Sequence, residues 1–396
     1  MIKPSGARPK ILVFSTVYLP MIGGAELAIH EIAKLLCDRY DFILFTARMS
    51  SAFPARERIG GVEVRRLGFG FSFDKYLVPF LGYWNARRLM RASSLQPPAS
   101  RILMWGMMAS YATIAAYFLK RRNRAIPFLL TLQEGDPEEY LFHGRWGLMG
   151  WWFKKIVRSA DRIQTISFYL RRVAEKAGAL SDRVDVVPNG VDVGRFGKAH
   201  PEARKEFYGR FELPPNAKIV ITASRLVPKN GVDTLIRALA LPPKNHREHA
   251  MIAGTGFQET SLKALARELE IEKRVHFLGD LDHDELARWY SAAHVFARPS
   301  RSEGLGSAFL EAMAAGLPAI GTAVGGIPDF LKHNETGVLV KVDDPHDLAY
   351  QLRHLFYDAD FRARVAETGR ALARDHYSWD GVANKMNGIF YRLIGA

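Results

Sequence analysis

One pattern, met twice along the chain, most limits the folds open to it: a short, largely apolar run ends in a loop and gives way to helical spacing. Lys10–Ser15 is the first such run. The loop Thr16–Gly24 follows, then a helical stretch through Tyr40 with Leu27, Ile32, Leu35 and Leu36 as its apolar positions, then a second run at Asp41–Thr46. Strands this short and this apolar suit a sheet covered on both faces, and alternation with helices makes it parallel. Gly61–Leu67, Arg101–Trp105, Phe128–Leu132 and Arg162–Ile166 read as further strands. Periodicity lapses over Gly197–Phe211, which reads as a linker, and Lys218–Ala223 restarts the alternation as a second sheet. The expected class is α/β, with doubly wound parallel sheets whose ligands lie beyond the C-terminal strand ends. The first turn holds Gly23-Gly24 but no G-x-G-x-x-G, which disfavours a dinucleotide dehydrogenase.

Length and charge narrow the class further. At 396 residues the chain can fill two or three cores, and 48% apolar with 24% charged residues is the balance of a globular protein. A single cysteine, Cys37, leaves no intramolecular disulfide and no Cys-based zinc site, which fits a reducing cytoplasm; its helical setting reads as core. Of the net charge of +14, residues 1–197 supply 13, from 29 Lys and Arg against 16 Asp and Glu. Such a basic half suits nucleic acid, an anionic membrane or an acidic substrate, and no nucleic-acid module is recognisable, so a membrane surface or an anionic lipid-linked acceptor is expected. The first ten residues lack the apolar core of a secretory signal. Ile102–Leu119 runs eighteen residues without a charge, but Gly106, Ser110, Tyr111 and Thr113 interrupt it, so a strand and a buried helix (Ala109–Leu119) account for it better than a membrane span.

The densest information lies in Arg298–Leu331. Gly304-Leu305-Gly306 makes a turn, Ser307 reads as a helix cap, Ala308–Ala315 as a helix with Phe309, Leu310 and Met313 inward, and Gly316-Leu317-Pro318 as its stop. Amides bared by glycine at a helix start suit a phosphate, whereas Glu303 and Glu311, which bracket the turn, suit hydroxyl groups. Together they suit a nucleotide sugar. The alternative reading is a pair of solvated charges at an ordinary helix entrance.

Ser300, Glu303-Gly304, Glu311-Ala312-Met313-Ala314, Gly316, Pro318, Gly325-Gly326 and Pro328 resemble the signature of the retaining GT-B glycosyltransferases of family 4, also called glycosyltransferase group 1. Asp329 stands where many relatives carry Glu. Val184–Phe196 (VDVVPNGVDVGRF) matches the family's V-x-P-N-G-V-D-x-x-x-F segment. The resemblance implies two facing Rossmann-like domains with an interdomain cleft: residues 1–197 for the acceptor and 198–376 for the donor, with 377–396 crossing back onto the first.

It also implies roles. Glu311 holds ribose hydroxyls and Glu303 the sugar's outer hydroxyls, while the amides of Gly304, Leu305 and Gly306 support the donor, with Ser307 beside them. Arg225 and Lys229 neutralise the departing diphosphate, although position 230, where the family's Lys commonly falls, is Asn. Gly254 and Gly256 (MIAGTG) let the nucleotide approach, Leu278 of Val275–Gly279 lies beside the base, and the Gly-Gly-x-Glu turn of Gly23, Gly24 and Glu26 comes near the diphosphate and the acceptor or is a plain tight turn. In TLQEGDPEEY, Gln133 occupies a place where relatives often carry His; with Glu134 and Asp136 it binds a polyhydroxy acceptor or is solvated loop. Asp280-Leu281-Asp282 mimics a metal-binding D-x-D, but Asp282 with Glu285 reads as a capping box for Asp284–Ala292, so no metal and no cofactor is expected.

Gly144–Arg162 reads as a helix with Leu148, Trp152 and Ile156 on one face and Trp151, Lys155, Arg158 and Arg162 on another; cations beside Trp suit a membrane interface, with Lys120, Arg121, Arg122 and Arg124 adding to it. The expected activity is therefore transfer of a hexosyl unit, with retention, from a nucleoside diphosphate sugar to a saccharide or lipid-linked acceptor, in the cytoplasm or on the inner membrane face. The alternatives are a nucleotide-sugar epimerase or hydrolase of the same fold, and a non-catalytic nucleotide-sugar-binding subunit.

Overall fold

The computed structural model of the chain describes residues 8–91, 102–144, 147–242 and 247–395. Arg101 of the expected strand Arg101–Trp105, Arg145 and Trp146 of the expected helix Gly144–Arg162, and the first seven residues lie outside them. Two compact units result, Met1–Asn189 with Trp379–Ala396, and Gly190–Ser378.

The first unit carries eight strands: β1 (Lys10–Phe14), β2 (Asp41–Ala47), β3 (Arg56–Ile59), β4 (Val62–Leu67), β5 (Ile102–Met107), β6 (Phe128–Leu132), β7 (Arg162–Thr165) and β8 (Val184–Val186). They pair in the order β3-β4-β2-β1-β5-β6-β7-β8, every pairing parallel except β3 with β4. β1, β5 and β6 are almost wholly buried, which is why they read as unbroken apolar runs rather than alternating ones. The closing helix, Trp379–Ile394, belongs to this unit because its apolar stripe joins the same core: Phe390 meets Trp105, Tyr40 and Phe42 edge-on at 5.3, 5.6 and 6.3 Å.

The second unit has six parallel strands, β9 (Lys218–Ala223), β10 (Glu248–Ala253), β11 (Val275–Gly279), β12 (Val295–Arg298), β13 (Ala319–Thr322) and β14 (Val338–Val340), ordered β11-β10-β9-β12-β13-β14. In both sheets the order reverses beside the unit's first strand, between β1 and β5 and between β9 and β12. These reversals open the crevices where doubly wound sheets bind ligands.

Several local expectations are corrected. The first helix spans Gly24–Leu36 rather than reaching Tyr40, and Leu35 is exposed. Cys37 is half-buried, its thiol donating to the Lys34 carbonyl, so it is not a core residue. Gly197–Phe211 is no linker: it holds the helix Pro201–Arg210, whose Ala203 and Phe207, one turn apart, are buried. Its otherwise charged sequence hid that two-residue face. Ser307 begins the helix Ser307–Ala314 instead of capping it, because the left-handed Gly306 takes the cap position. The helix Leu148–Ser159 buries Gly150, Phe153, Ile156 and Val157, leaving Leu148 exposed, while Arg162 lies on β7 and holds Asp185 at 2.6 and 3.0 Å. The uncharged stretch from Ile102 divides into β5 and the helix Tyr111–Arg122, and among the described residues no helix is long and apolar enough to cross a membrane.

Candidate functional site

In the second unit, four strand ends converge on a cavity of about 210 Å³. Ala223, Ser224 and Arg225 reach it from the end of β9, Gly254 from β10, Asp280 and Leu281 from β11, and Ala308 and Glu311 from the helix after β12. It therefore lies at the carboxyl edge of the sheet, beside the β9/β12 reversal. The packing explains why Gly254 must be glycine. Its φ is +119°, and a Cβ there would stand 2.0 Å from the Ser224 carbonyl oxygen, so the two loops touch through bare backbone.

Glu311 is buried, and desolvation pushes its carboxyl up to about 7, with the positive charges of Arg298 and Arg195 pulling the other way. A carboxyl group held in a cavity at that point between acid and anion is ready to take hydrogen bonds from a diol. Glu303 has a different setting. Its carboxylate is paired with the buried guanidinium of Arg298, accepts the Gly304 amide at 3.2 Å, and so is held in place by two donors. That bond also occupies one of the three turn amides expected to face the donor. Leu305 and Gly306 are buried and Ser307 is half-buried.

The loop after β9 is braced from below. Asn230 is buried and its side-chain amide donates to the Arg225 carbonyl at 2.6 Å, closing the turn that carries Arg225. Lys229 sits in the short 3-10 turn Pro228–Asn230, and its own carbonyl accepts the Arg301 amide at 2.7 Å. Arg301 in turn grips Asp233 through two bonds (2.7 and 3.0 Å), Asp343 at 2.6 Å and the Pro228 carbonyl. The pattern-based reading passed over Arg298 and Arg301, although both lie in the same RPSRSEG segment. A cation closing the buried strand VFAR was the available signal, since an arginine at such a point needs a fixed partner.

Among the described residues, Gly256, Lys229, Leu278, Glu303 and Gly304–Ser307 do not line the 210 Å³ cavity, although each lies at the same strand edge or in its loops. Asp282 is used structurally: its carboxylate accepts the amides of Asp284 and Glu285, and Glu285 returns the bond, so the capping box reads as expected and the helix is His283–Ala292.

A single backbone contact offers a test of how Glu303 is held. Gly325 has φ +56°, and a Cβ there would sit 1.7 Å from the Glu303 carbonyl oxygen. Gly325→Ala should therefore displace the Glu303 loop and cost about 1–3 kcal/mol of stability. Chemical denaturation checks this, and an unchanged midpoint would show that the loop yields freely.

In the first unit, the residues after β1 and β6 meet. Gly23 and Gly24 are exposed at the start of their helix; a Cβ on Gly24 would lie 3.6 Å from Asn189 and 4.0 Å from Gln133. Gln133 and Asn189 exchange two side-chain hydrogen bonds, 3.0 and 2.9 Å, so the glutamine is fixed by the turn that ends the unit. Glu26, two residues past Gly24, is buried and its carboxyl is raised by desolvation. Glu134 is buried, with Oε1 accepting the Ala109 amide at 2.8 Å; burial, aided by the Asp136 charge, pushes its carboxyl up to about 7. Asp136 is half-buried beside it.

With this geometry established, comparison places the chain among known proteins. Residues 204–372 match the family model described as "Glycosyl transferases group 1", and residues 22–195 match "Glycosyltransferase Family 4". Over 254 residues, 60% of this chain, it is 32% identical to the GDP-mannose-dependent alpha-(1-6)-phosphatidylinositol monomannoside mannosyltransferase of Mycobacterium tuberculosis, and it spans 66% of that relative's length. It is 28% identical to the D-inositol 3-phosphate glycosyltransferase of a Nocardioides species over 93% of this chain and 85% of the relative. Among solved structures, Anabaena HepE in complex with UDP and glucose superposes with a TM-score of 0.78 at 21% identity, covering 96% of this chain and 99% of that one. Sucrose-phosphate synthase of Thermosynechococcus elongatus gives 0.83 at 21% identity, covering 98% and 100%. At these identities the structural likeness speaks for the fold.

Proposed function

Because the chain belongs to the family-4 (group 1) glycosyltransferases of GT-B fold, we propose that it transfers a hexosyl unit, with retention and without a metal, from a nucleoside diphosphate sugar to a lipid-linked saccharide or glycolipid. One observation carries the reading: a buried carboxyl, Glu311, and a cation, Arg225, share one cavity at the carboxyl edge of a doubly wound sheet. Glu311 takes the ribose hydroxyls, the loop cations Arg225 and Lys229 meet the diphosphate, and Glu303, fixed by Arg298, holds the sugar. Residues 198–376 bind the donor, and residues 1–197 with the returning helix 377–396 bind the acceptor. Leu278, Gly254 and Gly256 border the nucleotide. The cations rather than a metal balance the leaving group's charge, consistent with Asp282 being taken up in its helix cap.

The GDP-mannose dependence of the mycobacterial relative and the UDP-glucose complex of Anabaena HepE guide the choice of probes, and these two nucleotide sugars are the first to screen for thermal stabilisation. The stabilising donor is then incubated with phosphoinositide and lipid-phosphate acceptors, with and without chelator, and the anomeric configuration of the product is read by NMR. A retained glycoside formed in chelator supports the reading. Free sugar or an epimer with no dependence on acceptor indicates a hydrolase or epimerase, and donor binding without turnover indicates a binding subunit. Glu303→Gln should bring turnover below a tenth of wild type, since a carboxylate that accepts sugar hydroxyls is replaced by a weaker neutral partner.

We further propose that the basic unit lies on an anionic membrane. Phe69, Phe71, Phe73, Phe80 and Trp84 are exposed, Arg87 stacks over Trp84 at 5.4 Å and Lys75 over Tyr76 at 5.1 Å, and on a separate helix Lys155 covers the exposed Trp151 at 4.6 Å. Aromatic rings flanked by cations suit the headgroup level of anionic lipid. Co-sedimentation with phosphatidylglycerol vesicles at low salt, absent with phosphatidylcholine alone, is the expected result.

A further inference from the structure

The loops after β5 and β6 enclose a chamber of about 320 Å³ in the first unit, inside the range of roughly 300–1,000 Å³ usual for ligand pockets. Ile114, Leu141, Leu148, Met149, Trp152 and Phe153 give it apolar walls, and Ser110, Glu134 and Asp136 give it a polar end. Glu134 is the unusual member. It is 4% exposed, its Oε1 is committed to the Ala109 amide, and its Oε2 is buried with no hydrogen-bond partner. A buried carboxyl oxygen left without a donor is costly, so such an atom in a chamber wall marks a place for one. Met108, also in the wall, holds a left-handed backbone at φ 61°, a conformation rare outside glycine and asparagine that collects at binding sites.

The chamber adjoins both exposed aromatic patches. Its wall residue Tyr111 packs edge-on against Tyr76 at 5.1 Å, and its wall residue Trp152 against the exposed Trp151 at 4.9 Å. An apolar chain lying against those rings would thus be in contact with residues that pack on the chamber wall.

We propose that this chamber takes the apolar chain of an amphiphilic acceptor, an alkyl or acyl chain next to a hydroxyl group, with Glu134 Oε2 accepting that hydroxyl's hydrogen bond. The proposal rests on the glycosyl-transfer reading and adds to it a seat for the acceptor's apolar chain and a partner for its hydroxyl. A pure saccharide would leave the apolar walls wet, and a chain without a donor would leave Oε2 unsatisfied.

Calorimetry on the whole chain tests this with octyl and methyl β-glucoside below micelle formation, and with 1-octanol and its methyl ether. Octyl glucoside should bind one site at least tenfold tighter than methyl glucoside. Octanol should bind at least fivefold tighter than the ether, which lacks the donor. Met149→Trp or Ile114→Trp, each filling the chamber, should reduce the octyl advantage below threefold, and Glu134→Leu should abolish the octanol–ether difference. Equal binding of the two glucosides by wild type, equal binding of octanol and ether, or an octyl advantage that survives both filling variants in folded protein would overturn the proposal. The wild-type arms need no variant to fold. Stabilisation by a nucleoside diphosphate is measured in parallel: if it is present while the alkyl arms fail, the chamber proposal falls and the transfer reading stands.

Discussion

Arg225→Ala should lower kcat by about 30- to 1,000-fold, equivalent to roughly 2–4 kcal/mol of transition-state stabilisation, with a smaller effect on donor binding. A diphosphate gains negative charge as it leaves, so a fixed cation beside it acts more strongly at the transition state than before it. Fixity is what the loop supplies. Asn230 locks the Arg225 carbonyl, and Arg301, tied to Asp233 and Asp343, holds the neighbouring Lys229 turn. Lys229→Ala should behave similarly. Steady-state kinetics with the donor found by screening provides the check, and wild-type turnover in both variants would remove these residues from the reaction.

Glu311→Gln carries the second large expectation, and it has two signs. Loss of a charged acceptor for the ribose diol should weaken nucleotide binding by about 1.5–3 kcal/mol, more than tenfold. Without ligand, the same substitution should stabilise the protein at neutral pH. The wild-type carboxyl lies at about 7 when folded, above its ordinary 4.5, so the folded chain keeps a proton that the unfolded chain releases. Its contribution is complete below about pH 4.5 and is lost as pH rises toward and through 7, a span worth about 3 kcal/mol. Gln has no such dependence. His276 and His294 act oppositely in the acid range, since burial lowers them to about 4 and about 3, and stability rises with pH between those values and the ordinary 6.5. The difference between variant and wild type isolates Glu311: it should grow in the variant's favour from pH 5 to 8. Nucleotide binding by wild type should strengthen over the same interval, because the diol prefers the anion. Thermal melts across pH, with and without nucleotide, measure both. A flat difference would mean that Glu311 is ionised throughout.

The periodic signals were legible because burial on both faces leaves its mark residue by residue. β1, β5, β6 and β9 are apolar but for Lys10, Thr131, Lys218 and Thr222, the Asp282–Glu285 box closes its helix as spacing alone suggested, and the nearly all-apolar helix Ser307–Ala314 ends where Gly316 and Pro318 predict. Weak local signals misled. Ala203 and Phe207 are too few to register as a stripe, yet they bury the helix Pro201–Arg210, and Arg162 continues a helical tally across a chain break in periodicity onto β7.

The linear order of residues thus determined the α/β alternation, the two sheets and the identity of the acids and cations placed after their strands, because those depend on short-range pattern and on where glycine allows the chain to turn. Only the folded structure decided their states. Glu311 became a carboxyl balanced between acid and anion, Glu303 an ion pair with Arg298, Arg301 the brace beneath Lys229, and Glu134 a buried acceptor facing an apolar chamber. Protonation and hydrogen bonding depend on desolvation and on partners that are far apart in the chain, such as Arg301 with Asp233 or Glu134 with Ala109, and no local spacing encodes which of them will meet.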